Sequence, residues 1–209
     1  MGMRFVAAIW RLAIAILCFV STMHAWSQLN YWVYFTYQMG FVLGLVMAWA
    51  GAASLLNGVQ PPAWLKGCLT TYAVITALVA YFILPPDDPA TATMVWGIMT
   101  NTMLHRIAPA MAVLDFVLFD RHRRFAWHVP VTWLSYFPIY LGFVIIRAQW
   151  WPHSGPRANG NPYPYGFIDV NELGWMQLAV NAAQLAAVFF GVGLAVFLID
   201  RILPAKVLL

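Results

Sequence analysis

The sequence predicts an all-α fold: a polytopic membrane protein built as one bundle of six transmembrane helices. Three observations carry this. Of 209 residues, 63% are hydrophobic and only 9% charged, whereas soluble domains carry about 25% charged residues. The apolar residues gather into six runs, each near or above the ~20 residues that cross a hydrocarbon core. Between the runs stand segments rich in proline, glycine and charge, such as NGVQPP, PPDDPAT and DRHRRFAWH. No internal repeat is visible, so residues 1–209 read as a single domain.

The predicted spans are 5–22, 31–56, 65–84, 94–119, 129–149 and 174–199. The first lies in MGMRFVAAIWRLAIAILCFV, which has signal-peptide character. Arg11 interrupts its apolar stretch and the sequence starts at Met1, so it is expected to persist as a membrane helix. The second opens on YWVYFTYQ, an aromatic cluster suited to a membrane interface. The third ends at PPDDPAT. The fourth contains NTMLHRIAPAMAVLD, residues 101–115, an apolar run that nevertheless holds His, Arg, Pro and Asp. The fifth is bounded by DRHRRFAWH and by the long segment WWPHSGPRANGNPYPYGFIDVNE, after which the sixth completes the bundle.

Orientation follows from loop charge, because Lys and Arg are retained on the cytoplasmic side. Lys66 is read as following helix two, Arg121, Arg123 and Arg124 follow helix four, and Arg201 and Lys206 follow helix six. The loop after helix one has no charged residue, and the one after helix three offers only Asp87 and Asp88. Both termini are therefore expected in the cytoplasm, with helices two and four running from outside to inside.

Composition excludes several functions. The net charge of +4 arises mainly from loop arginines, and no basic stripe with interleaved aromatics exists, so nucleic acid is not an expected partner. Cys18 and Cys68 fall on different helices at different depths, which gives neither a disulfide nor a metal framework. No metal and no cofactor is expected. His24 lies near the outer surface, and His122, His128 and His153 lie in loops, so His105 has no partner for ligation. The G-x-S-x-G and H-E-x-x-H templates are absent. The helices read as lacking lysine, which excludes a retinal-type Schiff base, and no paired halves suggest a transporter.

The polar residues of helix four carry the functional question, since ionisable groups in a bilayer are costly and face the bundle interior or a polar cavity. Asn101, His105, Ala108, Ala112 and Asp115 recur at spacings of three or four and so share one side of the helix. Pro109 lacks the N–H that would meet the carbonyl of His105, which predicts a kink there. His105 has three readings: a general base, neutral near pH 7; a metal or haem ligand; or an interhelical hydrogen bonder. Thr36 lies roughly 8 Å below Tyr31, and His105 roughly 14 Å below Trp96, which puts both in the outer half. Threonine in membrane helices ordinarily bonds its own backbone or a neighbour. Arg11 and Asp115 both lie near inner helix ends and are expected to form a structural ion pair. Arg106 points to a polar cavity or a lipid phosphate. In NPYPYGFID the X-Pro steps force extended backbone, so Tyr163 and Tyr165 are interface anchors or part of a lid over the outer mouth. Asp169 is placed to bridge Arg147 or to orient His105 from above.

Three segments in this order, YFTYQ on helix two, NTMLHRIAP with LDFVLF on helix four, and YPYGFID after helix five, resemble the androgen-inducible membrane hydrolases and their bacterial relatives. The androgen-dependent TFPI-regulating protein belongs to that family. The resemblance spans almost the whole chain, although the long Gly/Pro-rich outer loop departs from the animal proteins. It implies a multipass protein of bacterial type; with the orientation drawn from loop charge, the expected location is a bacterial inner membrane with the site opening to the outer, periplasmic half. It also implies hydrolysis of fatty-acid esters of hydroxy fatty acids, with Thr36 as nucleophile and His105 as base. The partners would be membrane lipids or lipid esters. Such chemistry needs an oxyanion donor; Asn101, one turn above His105, is the first candidate and Asn181 the second. The rival is a non-catalytic membrane subunit or scaffold, packing its eleven tryptophans and small residues against partner proteins or lipid.

Overall fold

In a computed structural model, which describes residues 2–85, 89–90 and 92–205, the chain forms six helices long and apolar enough to cross a membrane. They are α1 (Gly2–Ser21), α2 (Phe35–Leu56), α3 (Ala63–Phe82), α4 (Thr100–Phe119), α5 (Val129–Trp150) and α6 (Val170–Ile202). This is the architecture of a multipass integral membrane protein. Asp87, Asp88 and Lys206, which enter the orientation argument, lie outside the described residues.

Lipid tails are as apolar as leucine, so close van der Waals packing has to hold such helices together. The α1–α2 pair shows how. A side chain at Gly44 would begin 2.9 Å from the Phe19 ring, and one at Gly51 would begin 2.8 Å from Leu12. These glycines let the two backbones approach. The core lies where α1 to α4 meet, around Ile14, Leu43, Met47, Ile75 and Ala112, with Tyr140 and Val144 of α5 and Leu185 and Phe189 of α6 packed against it. Of its apolar stretch α2 buries 56%, the central position, and α6 only 17%, the peripheral one.

Helix ends follow local chemistry. Asn57 closes α2 in the left-handed conformation (φ 55), and the Pro61–Pro62 pair separates it from α3. The α5 span is interrupted by a turn at residues 133–135, just before Pro138, which cannot supply a helical N–H. The side chain of Asp169 caps α6 by accepting from the amides of Asn171 (3.1 Å) and Glu172 (3.4 Å), so α6 begins earlier than the expected 174; the break at Gly174 (φ 74) marks that boundary instead.

Three sequence expectations are corrected. Residues 94–99 are not helical: Met94–Val95 pairs antiparallel with Ile98–Met99 across Trp96 (φ 51) and Gly97 (φ 74). Two successive positive φ values are those of a tight type I′ hairpin, so α4 starts only at Thr100. Likewise α2 starts at Phe35 rather than 31, because Leu29–Val33 winds as a 3-10 turn and Tyr34 is extended. Finally, Lys66 is not a loop residue. It stands in the first turn of α3, buried, and bonds Asp115 (2.6 Å) and Asp120 (2.5 Å), while Arg11 bonds Asp115 (2.8 Å) and Asp120 (3.0 Å). Two cations and two carboxylates thus form one cluster that ties α1, α3 and the end of α4 together. Each buried charge there meets an opposite one, as a low-dielectric interior requires.

Candidate active site

Proline sets the local winding of α4. Pro109 has no N–H for the carbonyl of His105, and the segment just before it, Met103–Ile107, adopts a π-turn in which the Ala108 amide reaches back to the Met103 carbonyl. Facing it, Gly40 lies one turn beyond Thr36 on α2. A Cβ on Gly40 would sit 2.5 Å from a Leu104 methyl, so the missing side chain is what lets α4 close onto α2 at this level.

The result is a directed chain of hydrogen bonds. His105 Nδ1 lies 3.2 Å from the backbone carbonyl of Asn101. A carbonyl only accepts, so Nδ1 carries the hydrogen and the neutral ring presents Nε2 as an acceptor. Nε2 lies 3.2 Å from Thr36 Oγ1, which therefore donates to it. The Tyr165 hydroxyl lies 3.3 Å from the same Oγ1 and is left to donate to it.

Thr36 escapes the usual back-bond of a helical threonine for a positional reason. Thr71 and Thr76 of α3 bond carbonyls of their own helix, Gly67 (2.9 Å) and Ala73 (2.8 Å). Thr36 stands in the first turn of α2, cut off from the preceding 3-10 turn by the extended Tyr34. Tyr34 (ψ 129) breaks the helical path that would place the carbonyls three and four residues back beneath the Thr36 hydroxyl; these accept instead from the Tyr140 hydroxyl (Val33, 2.9 Å) and the Gln38 amide (Trp32, 2.6 Å). Its hydroxyl is thereby directed to the histidine.

Tyr165 is fixed by its own neighbours. Its ring stacks on Phe167 (5.0 Å between centroids) and meets Tyr34 edge-on (5.4 Å). Burial pushes its phenol up to about 12, against hydrogen bonds to the Thr36 side chain and the Thr36 and Phe35 backbone that pull it down. The phenol is a protonated donor at any physiological pH.

Two cavities reach this triplet, the larger touching His105 and Tyr165 and the smaller all three residues. A cleft of about 990 Å³ lies between α3 and α4, lined by apolar residues such as Val74, Leu78 and Val113 and by His105, Arg106 and Tyr165. A second space of about 490 Å³ is bounded by the connection before α2 and by residues ahead of α4, and it reaches Thr36, His105 and Tyr165 from another side. The large cleft opens between α3 and α4, while Gly40 lets α2 and α4 close against each other. Arg106 is exposed on the wall of that cleft, with no hydrogen-bond acceptor or carboxylate partner among the described residues.

Other sequence candidates fall elsewhere. Asn101 supplies its carbonyl to His105, and it also lines both cavities. Asn181 lines neither cavity and bonds elsewhere: its amide donates to the Phe167 carbonyl (2.9 Å) and its oxygen accepts from Gln177 (2.8 Å). Asp169 does not reach His105 or Arg147. It is fully buried, held by Asn161 (2.7 Å) and Arg157 (3.2 Å) while it caps α6. Arg147 donates instead to the Gly155 (3.2 Å) and Pro162 (3.0 Å) carbonyls. Tyr163 is buried in the core and lines neither cavity, so it is not at a mouth. Tyr165 moves the other way, from mouth to centre. Its hydroxyl role was missed from sequence, and the only signal for it was the pair of X-Pro steps that lay this segment over the bundle. Arg11 and Asp115 meet at 2.8 Å, within the four-membered cluster at the other end of the helices.

Among the described residues no group of three His, Cys, Asp or Glu could hold a metal ion, and Cys18 and Cys68 are free thiols. In comparisons with known proteins, no family model, no curated protein and no solved structure matches this chain.

Proposed function

We propose that the chain is a membrane-embedded threonine hydrolase that cleaves lipid esters. The observation that carries this reading is the 3.2 Å approach of His105 Nε2 to Thr36 Oγ1, with Nδ1 held by the Asn101 carbonyl. A nucleophile within hydrogen-bond reach of a base, itself oriented by a third group, is the general signature of covalent catalysis. The resemblance of YFTYQ, NTMLHRIAP and YPYGFID to the androgen-inducible membrane hydrolases supports the same assignment.

In this mechanism His105 Nε2 takes the Thr36 hydroxyl proton as Oγ1 attacks the ester carbonyl. The oxygen of the tetrahedral intermediate accepts from the Tyr165 hydroxyl, which already points at Oγ1. The intermediate collapses to an acyl-threonine, and the departing alkoxide takes the proton from Nε2. Water then gives a proton to Nε2, attacks the acyl carbonyl, and releases the fatty acid with Thr36 reprotonated. The base contributes about 10²–10⁴-fold and an oxyanion donor about 10²–10³-fold. The cleft between α3 and α4 accepts the acyl chains, and the smaller space admits water. Arg106 meets the free carboxylate that a fatty-acid ester of a hydroxy fatty acid carries. By the positive-inside argument the site opens to the outer half of a bacterial inner membrane.

The test is hydrolysis of a panel of lipid esters, including branched fatty-acid esters, by purified protein in detergent. Wild type is compared with Thr36→Ala and His105→Ala, each checked by thermal unfolding. Turnover by wild type only, at equal stability, is the expected result. No turnover on any ester, with both variants destabilised, would assign the pair to interhelical bonding in a non-catalytic subunit.

A further inference from the structure

The other end of the bundle carries a second pocket, independent of the Thr36–His105 chemistry. Thr36 opens α2 and Ser54 ends it, a distance of roughly 27 Å along the helix. Around Ser54 a pocket of about 500 Å³ is bounded by the start of α1, the connection from α2 to α3, and the loop after α4. Five cations line it: Arg4, Arg11, Lys66, Arg121 and Arg124.

Their charges divide into two sets. Arg11 and Lys66 are neutralised by Asp115 and Asp120 in the buried cluster. The guanidinium groups of Arg4, Arg121 and Arg124 have no acceptor and no carboxylate partner among the described residues. Three unbalanced positive charges therefore face one cavity, whose wall also holds Ser54, Gln60 and the already paired Asp120 beside an apolar part formed by Phe116, Phe119, Phe125 and the Pro61–Pro62 pair.

The loop that presents two of these arginines is held in place. The backbone amides of Arg124 (3.0 Å) and Phe125 (3.2 Å) donate to the buried Asp200 carboxylate of α6, and the Arg123 amide donates to the Asp200 carbonyl (2.9 Å). Arg201 holds the Phe125 carbonyl from the other side (2.8 Å). Arg123 sits at a left-handed turn (φ 62) and does not line the pocket, whereas Arg121 and Arg124 on either side of it do. A purely topological arginine needs no such scaffold.

We infer that this pocket binds a phosphate group, as the headgroup of an anionic phospholipid or as free phosphate. Guanidinium forks match phosphate oxygens bidentately, and basic pockets between transmembrane helices are a recurrent solution for anionic headgroups. The phenylalanine and proline wall is suited to the glycerol and first acyl carbons of a lipid.

The experiment uses the full chain, purified and delipidated in a neutral detergent. Thermal unfolding and native mass spectrometry are followed with short-chain phosphatidylglycerol, short-chain phosphatidylcholine and inorganic phosphate in separate titrations. Saturable binding of phosphatidylglycerol but not phosphatidylcholine identifies a headgroup site. Saturable binding of inorganic phosphate that displaces phosphatidylglycerol identifies the phosphate itself as sufficient. In either case the Arg121→Gln/Arg124→Gln double variant binds roughly thirtyfold more weakly, and Arg123→Gln, on the same loop but outside the pocket, binds as wild type does. Arg4→Gln, on a separate helix, weakens binding as well and replaces the double variant should that fail to fold. The proposal is overturned if phosphatidylglycerol and phosphatidylcholine bind alike and phosphate does not bind. It is equally overturned if Arg123→Gln weakens binding as much as the pocket variants, which would reduce the effect to general surface charge.

Discussion

His105 Nε2 and Thr36 Oγ1 stand 3.2 Å apart, although 69 positions separate the two residues in the chain. The contact depends on two features that lie beside it. Pro109 imposes the π-turn that swings His105 toward α2, and Gly40 removes the side chain that would hold α4 away. Both are testable.

Replacing Pro109 by alanine restores the N–H that the His105 carbonyl lacks, so the π-turn is expected to relax toward ordinary α winding. Thermal stability should rise, while lipid-ester turnover falls about 100-fold, the scale of an ångström-sized misplacement of a catalytic group. Comparing the unfolding midpoint with kcat on the same preparation checks both directions.

At Gly40 the expected effect depends on size. Gly40→Ala brings a Cβ to 2.5 Å from a Leu104 methyl, so the flexible end of Leu104 must shift and a small loss of stability and turnover is expected. Gly40→Ile cannot be absorbed so easily, and it should separate α2 from α4 and abolish turnover. A disulfide-trapping rate between cysteines placed on the two helices would report the separation directly.

Tyr165→Phe removes the hydroxyl beside Thr36 without removing the ring. Turnover should fall about 10²–10³-fold with little change in KM, as for loss of one oxyanion donor. The same variant changes the alkaline limit. Burial moves the phenol from an ordinary 10.0 to about 12. Below pH 10 the folded and unfolded phenols are both protonated, and stability does not depend on this group. Between pH 10 and about 12 the unfolded phenol ionises while the folded one does not, so the fold loses stability as pH rises. Unfolding curves across that window should fall less steeply for Tyr165→Phe than for wild type.

Asp115→Ala leaves Arg11 and Lys66 sharing a single carboxylate in the interior. Removing one partner of a buried ion pair costs about 3–5 kcal/mol. The predicted outcome is a large drop in the unfolding midpoint, with residual turnover at permissive temperature unchanged. Loss of turnover at full stability would instead tie this cluster to the chemistry.

Arg106→Gln should raise KM for esters that carry a free carboxylate and leave neutral esters of equal chain length unaffected. The two KM ratios, measured side by side, isolate the charge.

Much of the fold was legible in the sequence, because lipid admits few structures. A span of some 20 apolar residues must be helical to satisfy its own backbone, and six such runs predict six helices. The ends were less legible. WG at 96–97 reads as apolar and continuous with helix four, yet its two positive φ values make a hairpin and delay α4 to Thr100. Lys66 looked like a loop charge until α3 was seen to begin at Ala63 and to carry it into the core. At the site, residue type and resemblance named Thr36 and His105. The partner of Nδ1 was invisible, since it is a backbone carbonyl and any residue at 101 would supply one. Asp169 attracted the orienting role because it is a buried-type acid in the right segment, but a helix start also needs an acceptor, and the amides of Asn171 and Glu172 claimed it.

The amino-acid sequence by itself determined the class of the molecule, the number of its spans and the residue types able to move a proton, because burial in lipid and side-chain chemistry act one segment at a time. The tertiary structure alone decided which of those residues meet: that Thr36 turns to His105 because the extended Tyr34 leaves no helical carbonyl beneath its hydroxyl, that Tyr165 lies beside them, and that the large cleft opens between α3 and α4. Those outcomes depend on how closely separate helices approach, and that distance is set by glycines and a proline whose effect exists only once the neighbouring helix is in place.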